Sequence, residues 1–480
     1  MEGRTKLEFQ IEDGETPTAF PASKSTDELL GELDYSQATK RPQIIAAFCA
    51  TLGATALGTI IAYSSPVIPE LESCDEVCLS DSQESWFGSL VPLGCLFGAL
   101  SGGTQNRFFG KKRTLLICAI PFLVGGQNVG IMFLGRFLGG FAGGTVSMAA
   151  PTYIADISQP SIRGALGSGF QLMVVTGIWL GATFSLGLSW RWLAGVSAAF
   201  PLAMAVCLYF MPESPLDHLE KGENEKAEAA LLWFRGPEHD VKRELDEMER
   251  QLRIAQSQKV NLKHLKNRVV LLPLGIGLAL MLFQQFSGIN AVMFYTEQIF
   301  AAANTGLSNE HSAVIVLAAQ VLATAASALL VDRYGRKFLL AISDATMTVA
   351  LVVMGTYFYI QEGKEDLVLA EKLGAIPILS LVLFCVGFSI GYGPIPWLIM
   401  SELFAPEVRG AASSIATGLN WTSAFIITFT FASLKAGIGS YGTFWLYAGV
   451  CAAGTAFIIL FVPETKEKPF AEIQKLFSRE

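Results

Sequence analysis

The stretch "MLFQQFSGINAVMFYT", Met281 to Thr296, sets two glutamines, an asparagine and a Ser-Gly pair inside a long apolar run. Carboxamides both donate and accept hydrogen bonds, and in hydrocarbon each unanswered group is costly. Gln284, Gln285 and Asn290 therefore suit either a neutral hydroxyl-bearing ligand or the polar gluing of helices. Three of them beside the Ser287-Gly288 break favour a ligand, because a broken helix lining a midplane cavity frees backbone groups and lets a gate bend. Gly391, Gly393, Pro394 and Pro396 give a later apolar run the same capacity.

The elements that must position these residues are membrane helices. Of the 480 residues, 51% are hydrophobic and 16% charged, and the mean hydropathy is +0.44. That balance indicates an all-α integral membrane protein with about twelve spans. The first set runs roughly over 44–66, 86–106, 114–127, 130–153, 164–187 and 191–211. The second runs over 269–302, 312–331, 338–360, 375–400, 410–434 and 441–462. The domains are accordingly a disordered tail (1–43), a six-helix bundle (44–211), a cytoplasmic helical linker (212–268), a second bundle (269–462) and a tail (463–480).

Lysine and arginine gather in "RFFGKKR", "RYGRK", Arg163, Arg409 and the linker, which places that side and both termini in the cytoplasm. The polar first 41 residues show no cleavable signal, and the expected location is the plasma membrane. The net charge of −8 and the lack of a basic cluster argue against nucleic acid. No spacing of His or Cys suggests a metal, no nucleophile motif suggests an enzyme, and no cofactor is expected. Cys74 and Cys78 share an outer loop and could pair, and "NWT" at Asn420 matches a glycosylation pattern but lies within a span.

The chain also repeats itself. "NRFFGKKR" matches "DRYGRK", "PTYIADISQPSIRGA" matches "PWLIMSELFAPEVRGA", and "PES" matches "PET", in the same order in each half. With "GFQLMVVTGI", "QQFSGINAV", "LLVDRYGRK", "GPIPWLIMSELF" and "VPETK", these motifs resemble the sugar porter family of the major facilitator superfamily over nearly the whole chain. They look most like insect facilitated trehalose transporters and facilitative glucose transporters.

The resemblance implies a major facilitator fold and a facilitative carrier of a neutral sugar, trehalose or a hexose. It puts the substrate-binding residues at Gln171, Gln284, Gln285, Asn290, Gln320 and Trp397. Tyr295 would form the outer gate, with hinges at Gly288, Gly393, Pro394 and Pro396. A cytoplasmic latch would comprise Asp156, Arg163, Glu213, Asp332, Arg336, Glu402, Arg409 and Glu464. The first basic turn has Arg107 where the second has Asp332, so the first-half latch is expected to be the weaker.

Proton-coupled relatives carry an acid in span 1, where this chain has Ser64, so uniport is expected. Asp344 in span 9 is read as a helix-pairing residue or a partner of the nearby Arg336 and Lys337, with a proton site as the alternative. A proton symporter and a non-transporting sugar sensor remain as other functions. Span 3 is anomalous: Gly110 to Pro151 is about twenty residues shorter than Gly335 to Pro396. A missing segment, or compression with bilayer thinning, would explain it, and the former predicts low activity.

Overall fold

A computed structural model describes residues 34–72, 79–125, 128–257, 268–303, 306–362, 373–404, 406–466, 468 and 470–478. Cys74 and Cys78 lie outside them, as do the side chains of Asp332 and Arg409.

Spans 1 and 2 are α1 (Arg41–Glu72) and α2 (Asp81–Phe109), and span 3 is α3 (Lys111–Phe122). Spans 4 to 6 are α4 (Val129–Ile157), α5 (Pro160–Ser185) and α6 (Trp190–Tyr209). The linker forms α7 (Pro215–Glu220), α8 (Asn224–Arg235) and α9 (Val241–Ser257). Span 7 is broken into α10 (Arg268–Phe286) and α11 (Ile289–Ala303), and spans 8 and 9 are α12 (Asn309–Tyr334) and α13 (Arg336–Glu362). Span 10 is α14 (Ile376–Gly387), a π-helical turn (Phe388–Tyr392) and α15 (Ile395–Leu403). Spans 11 and 12 share α16 (Pro406–Phe461), and α17 (Phe470–Ser478) follows.

Ten helical stretches among the described residues are long and apolar enough to cross a membrane. One of them, Gly410–Phe461, turns at Gly439 with φ of 75°, so it crosses twice. Adding α3 brings the total to the twelve expected from hydropathy.

Span 3 starts and ends earlier than 114–127. Its helix has 12 residues, about 18 Å of rise, against a hydrocarbon core of about 30 Å. Asn128 then caps span 4 by accepting from the Gly130 N–H at 2.8 Å. The early start comes from the basic turn itself, since Lys111 and Lys112 already belong to the helix.

Within the first bundle the helices cross on small residues. A Cβ on Gly94 or Gly98 of span 2 would strike the span 4 carbonyls of Phe137 and Phe141, and one on Gly144 would strike Cys95 O. Such backbone contact replaces the hydrophobic driving force that lipid removes. The result is a close-packed frame of spans 1, 2 and 4, against which the second part of span 7 rests on span 1 and span 11 on span 2.

Candidate functional site

Span 7 breaks at Gly288, whose φ is 85°. A Cβ there would lie 2.4 Å from the Tyr447 ring of span 12, so both the dihedral and the space demand glycine. The break turns Gln284, Gln285 and Asn290 into one cluster. Asn290 donates to Gln285 Oε1, and Gln285 Nε2 donates to Asn420 Oδ1 at 3.0 Å. Asn420 Nδ2 in turn donates to Gln284 Oε1 at 2.7 Å. Asn420 is buried on span 11 and completes a four-amide network that the sequence reading missed. The signal was present: a carboxamide within an apolar span, the same logic that selected Asn290.

Span 10 supplies the backbone floor of this network. Pro394 and Pro396 lack the N–H groups that would serve Ile390 O and Tyr392 O in an α-helical ladder. Side chains serve them instead: Ser327 of span 8 donates to Ile390 O at 3.2 Å, and Gln284 Nε2 donates to Tyr392 O at 2.7 Å and Gly393 O at 3.2 Å. Within the expected hinge, Gly393 O accepts directly from Gln284, and Pro394 and Pro396 leave carbonyls of the preceding turn free for side chains.

The other expected ligands stand apart from the network. Gln171 is half-buried on span 5, Gln320 is buried on span 8 with Oε1 unpartnered, and Trp397 on span 10 is 38% exposed. Gln320 Oε1 is a buried acceptor awaiting a donor, which a hydroxyl can provide.

At the outer end, Tyr295 stacks on Phe431 at 5.1 Å and donates to Thr428 O at 3.1 Å. Its hydroxyl also lies over Gly88 of span 2, where a Cβ would be 2.4 Å away. The expected gate residue thus meets the opposite half. Beside it, the Glu297 N–H donates to Ser65 Oγ of span 1 at 3.0 Å, and Gln298 donates to Glu72 Oε1 at 3.3 Å. Trp86 of span 2 packs edge-on to Phe429 of span 11 at 5.0 Å.

Two charges inside spans escaped the sequence reading. Arg136 of span 4 is buried and donates to Phe87 O at 3.1 Å, to Ile60 O at 2.6 Å and to Ser64 Oγ. Its guanidinium lies 4.8 Å from the Phe87 ring centroid. Glu297 is 5% exposed, with Oε1 unpartnered. Each was legible as a charge within an apolar run.

Asp344 corrects another expectation. It is 1% exposed and faces span 12, where a Cβ on Gly454 would lie 2.5 Å from its Oδ2. Arg336 and Lys337 do not reach it, because Arg336 pairs with Glu402 and Lys337 donates through Nζ to Ile459 O at 2.8 Å. The helix-pairing and proton-site readings remain.

At the end of the spans that carries the basic turns each half builds the same corner. Gly110 and Gly335 have φ of 95° and 87°, and each turns the chain over a glutamate. Glu213 accepts from the Lys112 N–H at 2.7 Å and the Arg113 N–H at 3.3 Å. Glu464 accepts from the Arg336 N–H at 3.0 Å and the Lys337 N–H at 3.1 Å. These carboxylates cap the free N–H groups that open spans 3 and 9.

Beside them Lys111 Nζ lies 2.6 Å from Asp156 and 2.8 Å from Asp217, while Arg336 lies 3.1 Å from Glu402. Ser214 donates to Asp156 at 2.6 Å and Thr465 to Glu402 at 2.5 Å. Asp156 therefore pairs with Lys111, and Arg163 donates to Ser158 O at 3.2 Å. Asp217 of the linker brings to the first corner an acid that Arg107 does not supply.

The sequence matches the family model described as "Sugar (and other) transporter" over residues 46–477. It is 37% identical over 444 residues to a facilitated trehalose transporter of Culex quinquefasciatus, covering 90% of this chain and 85% of that protein. It is 35% identical over 486 residues to one of Anopheles gambiae, covering 98% of this chain and 61% of that protein. For a Drosophila yakuba relative, 37% identical, the match covers 90% of this chain and 51% of that protein. The chain thus spans about half to two thirds of the length of several curated relatives. The fold is similar to the partially occluded inward-open xylose transporter XylE from E. coli. The TM-score is 0.75 at 24% identity, covering 89% of this chain and 100% of that one.

Proposed function

The chain belongs to the sugar transporter family and has the major facilitator fold, and from that premise we propose that it is a facilitative carrier of a neutral sugar, working by alternating access. Trehalose is the favoured substrate, given the insect relatives, and a hexose is the alternative. The observation that carries this reading is the network of Gln284, Gln285, Asn290 and Asn420 at the break in span 7. Four neutral amides offer donors and acceptors to hydroxyls without attracting ions. Gln171, Gln320 and Trp397 complete the site from the facing helices when sugar arrives.

Each hydrogen bond exchanged with water nets about 1 kcal/mol. A few such bonds plus ring stacking imply dissociation constants around the millimolar range, which lets release keep pace with turnover. Nanomolar equilibrium binding to the purified protein would contradict a carrier of this kind.

Uniport is supported by Arg136, whose side-chain partner on span 1 is the hydroxyl of Ser64 and whose other donors go to the backbone carbonyls of Ile60 and Phe87. A symporter would place a titrating carboxylate there. The competing symport reading draws on Asp344 and Glu297, each buried with an unpartnered oxygen. The carrier is placed in the plasma membrane with both termini cytoplasmic. Uptake of labelled trehalose and glucose in cells lacking hexose carriers, with and without an imposed proton gradient, tests the whole proposal. Wild type should transport downhill and Gln284→Ala should raise KM; uptake that collapses with a protonophore would establish symport instead.

A further inference from the structure

The π-helical turn of span 10 has a partner that the sugar site does not account for. Ser343 of span 9 is buried, and its hydroxyl donates to Gly387 O at 2.6 Å while accepting from the Tyr392 N–H at 2.8 Å. Those two backbone groups stand five residues apart, the step of a π-helix, and Gly393 N–H closes the next such step on Phe388 O at 2.7 Å. A side chain inserted in a helix ladder is one of the recognised causes of local rewinding.

The approach is close enough to need Gly391. A Cβ at that position would lie 2.6 Å from both Leu339 O and Ser343 Cβ. The peptide fixed on its N–H side by Ser343 belongs to Tyr392, and the carbonyl of that same residue accepts from Gln284 Nε2 at 2.7 Å. A continuous chain of hydrogen bonds therefore runs from span 9 through the π-turn to the amide network.

We propose that Ser343 is a positioning residue for the sugar site: its hydroxyl wedges the π-turn of span 10 so that the Tyr392 carbonyl holds the Gln284 carboxamide in its binding orientation. The proposal rests on Gln284 being a sugar ligand. It assigns to span 9, which carries none of the expected ligands, control over apparent affinity. Without the hydroxyl, span 10 can wind back toward α-helical register, the carbonyl turns, and Gln284 loses its anchor.

The test is a double-mutant cycle read in uptake kinetics with surface expression measured alongside. Ser343→Ala should raise KM about five- to tenfold with Vmax per surface molecule near wild type, and Ser343→Cys, a weaker hydrogen-bonding group of similar size, should fall between. In a Gln284→Ala background, Ser343→Ala should add almost nothing, since the residue it acts through is gone. An unchanged KM in Ser343→Ala, or the same factor multiplied onto Gln284→Ala, would overturn the proposal. If Ser343→Ala fails to reach the membrane, Ser343→Cys and its double mutant carry the same measurement. A normal KM in Gln284→Ala alone would instead sink the sugar-site assignment.

Discussion

The two basic-turn corners are built from the same parts and balanced differently. Each has a positive-φ glycine, a capping glutamate, a hydroxyl on the fourth-span acid of its half, and a base beside that acid. Among the described side chains, the first half sets one lysine between two acids, Asp156 and Asp217, and the second sets one arginine against Glu402. The capping glutamates feel the difference. Burial, the largest influence, pushes Glu213 above its ordinary 4.5, and Asp217 adds to that push against the N–H bonds. Burial also acts on Glu464, but N–H donors from Lys466, Arg336, Lys337 and Thr465 together hold it below 4.5. A duplicated motif thus keeps its geometry while its charge balance drifts, and the linker, which contributes Asp217, is what unbalances it.

The largest expected effect breaks the first corner. Lys111→Met would leave Asp156 and Asp217 facing each other without their shared cation, and removing one member of a buried pair costs about 3–5 kcal/mol. Arg336→Met should cost less than Lys111→Met, because Glu402 is the more solvated acid and water can replace part of the lost pairing. Melting temperatures of the two variants in detergent check this. Equal losses would mean that Asp217 contributes nothing to the asymmetry.

Next in size is the pH response of the two caps. Glu464 has a lowered folded pKa, so its stabilising contribution is present above 4.5 and is lost as pH falls through the folded value. Glu213 has a raised folded pKa, so the folded state binds its proton more readily than the unfolded chain does. Its contribution is full below 4.5 and is lost as pH rises through the folded value. At pH 7, Glu464→Gln should therefore lower the melting temperature more than Glu213→Gln. Moving from pH 7 toward 5 should raise the cost of Glu213→Gln, while that of Glu464→Gln stays nearly constant. Asp217→Asn sharpens the comparison, since it should bring Glu213 closer to the behaviour of its twin. Indistinguishable pH profiles for Glu213→Gln and Glu464→Gln would remove the proposed imbalance.

These contrasts also mark what the sequence could carry. Gln284, Gln285, Asn290 and Gly288 were legible because amides and a break inside an apolar run are expensive unless used. The acids of the corners were legible from the internal repeat. Lys111 was not, because comparing the two turns drew attention to the missing acid at Arg107 rather than to a base one step further on. Asp217 was invisible for a different reason: it sits in a helix of 6 residues whose place beside Lys111 is set by tertiary packing. Asn420 was readable as a carboxamide in an apolar span, but its partners, like those of Ser343, depend on which helices touch span 7 and span 10, and no local pattern encodes a crossing. Arg136 and Glu297 were readable as intramembrane charges, and only their partners needed coordinates.

A comparison inside the first half concerns the carrier's coupling. Ser64→Asp would put a carboxylate beside Arg136, the base that Ser64 now meets through a hydroxyl. An acid next to a buried guanidinium is paired rather than orphaned, so the variant should fold, and protonation that breaks this pair during the cycle should give its uptake a dependence on external pH that wild type lacks. Asp344→Asn and Glu297→Gln serve as controls in the second half and should leave uptake insensitive to a protonophore. A wild type already sensitive to a protonophore, with the sensitivity removed by either control variant, would transfer the coupling to the second half and end the uniport reading.

The smallest expected effect asks what the two corners share. Ser214 and Thr465 each place one hydroxyl on the acid that the neighbouring base holds, at 2.6 and 2.5 Å. A hydrogen bond to a charged acceptor is worth about 1.5–3 kcal/mol when its partner stays buried, and less where water can replace the lost donor. Asp156 keeps Lys111 after Ser214→Ala, and Glu402 keeps Arg336 after Thr465→Val, so neither acid is orphaned and both losses should sit near the bottom of that range. Near-equal drops in melting temperature would identify the hydroxyl as the element conserved between the halves while the bases and capping glutamates diverged. A much larger loss for Ser214→Ala would mean that Lys111, shared with Asp217, holds Asp156 less firmly than its distance suggests, and the first corner would then depend on the hydroxyl that links span 4 to the linker.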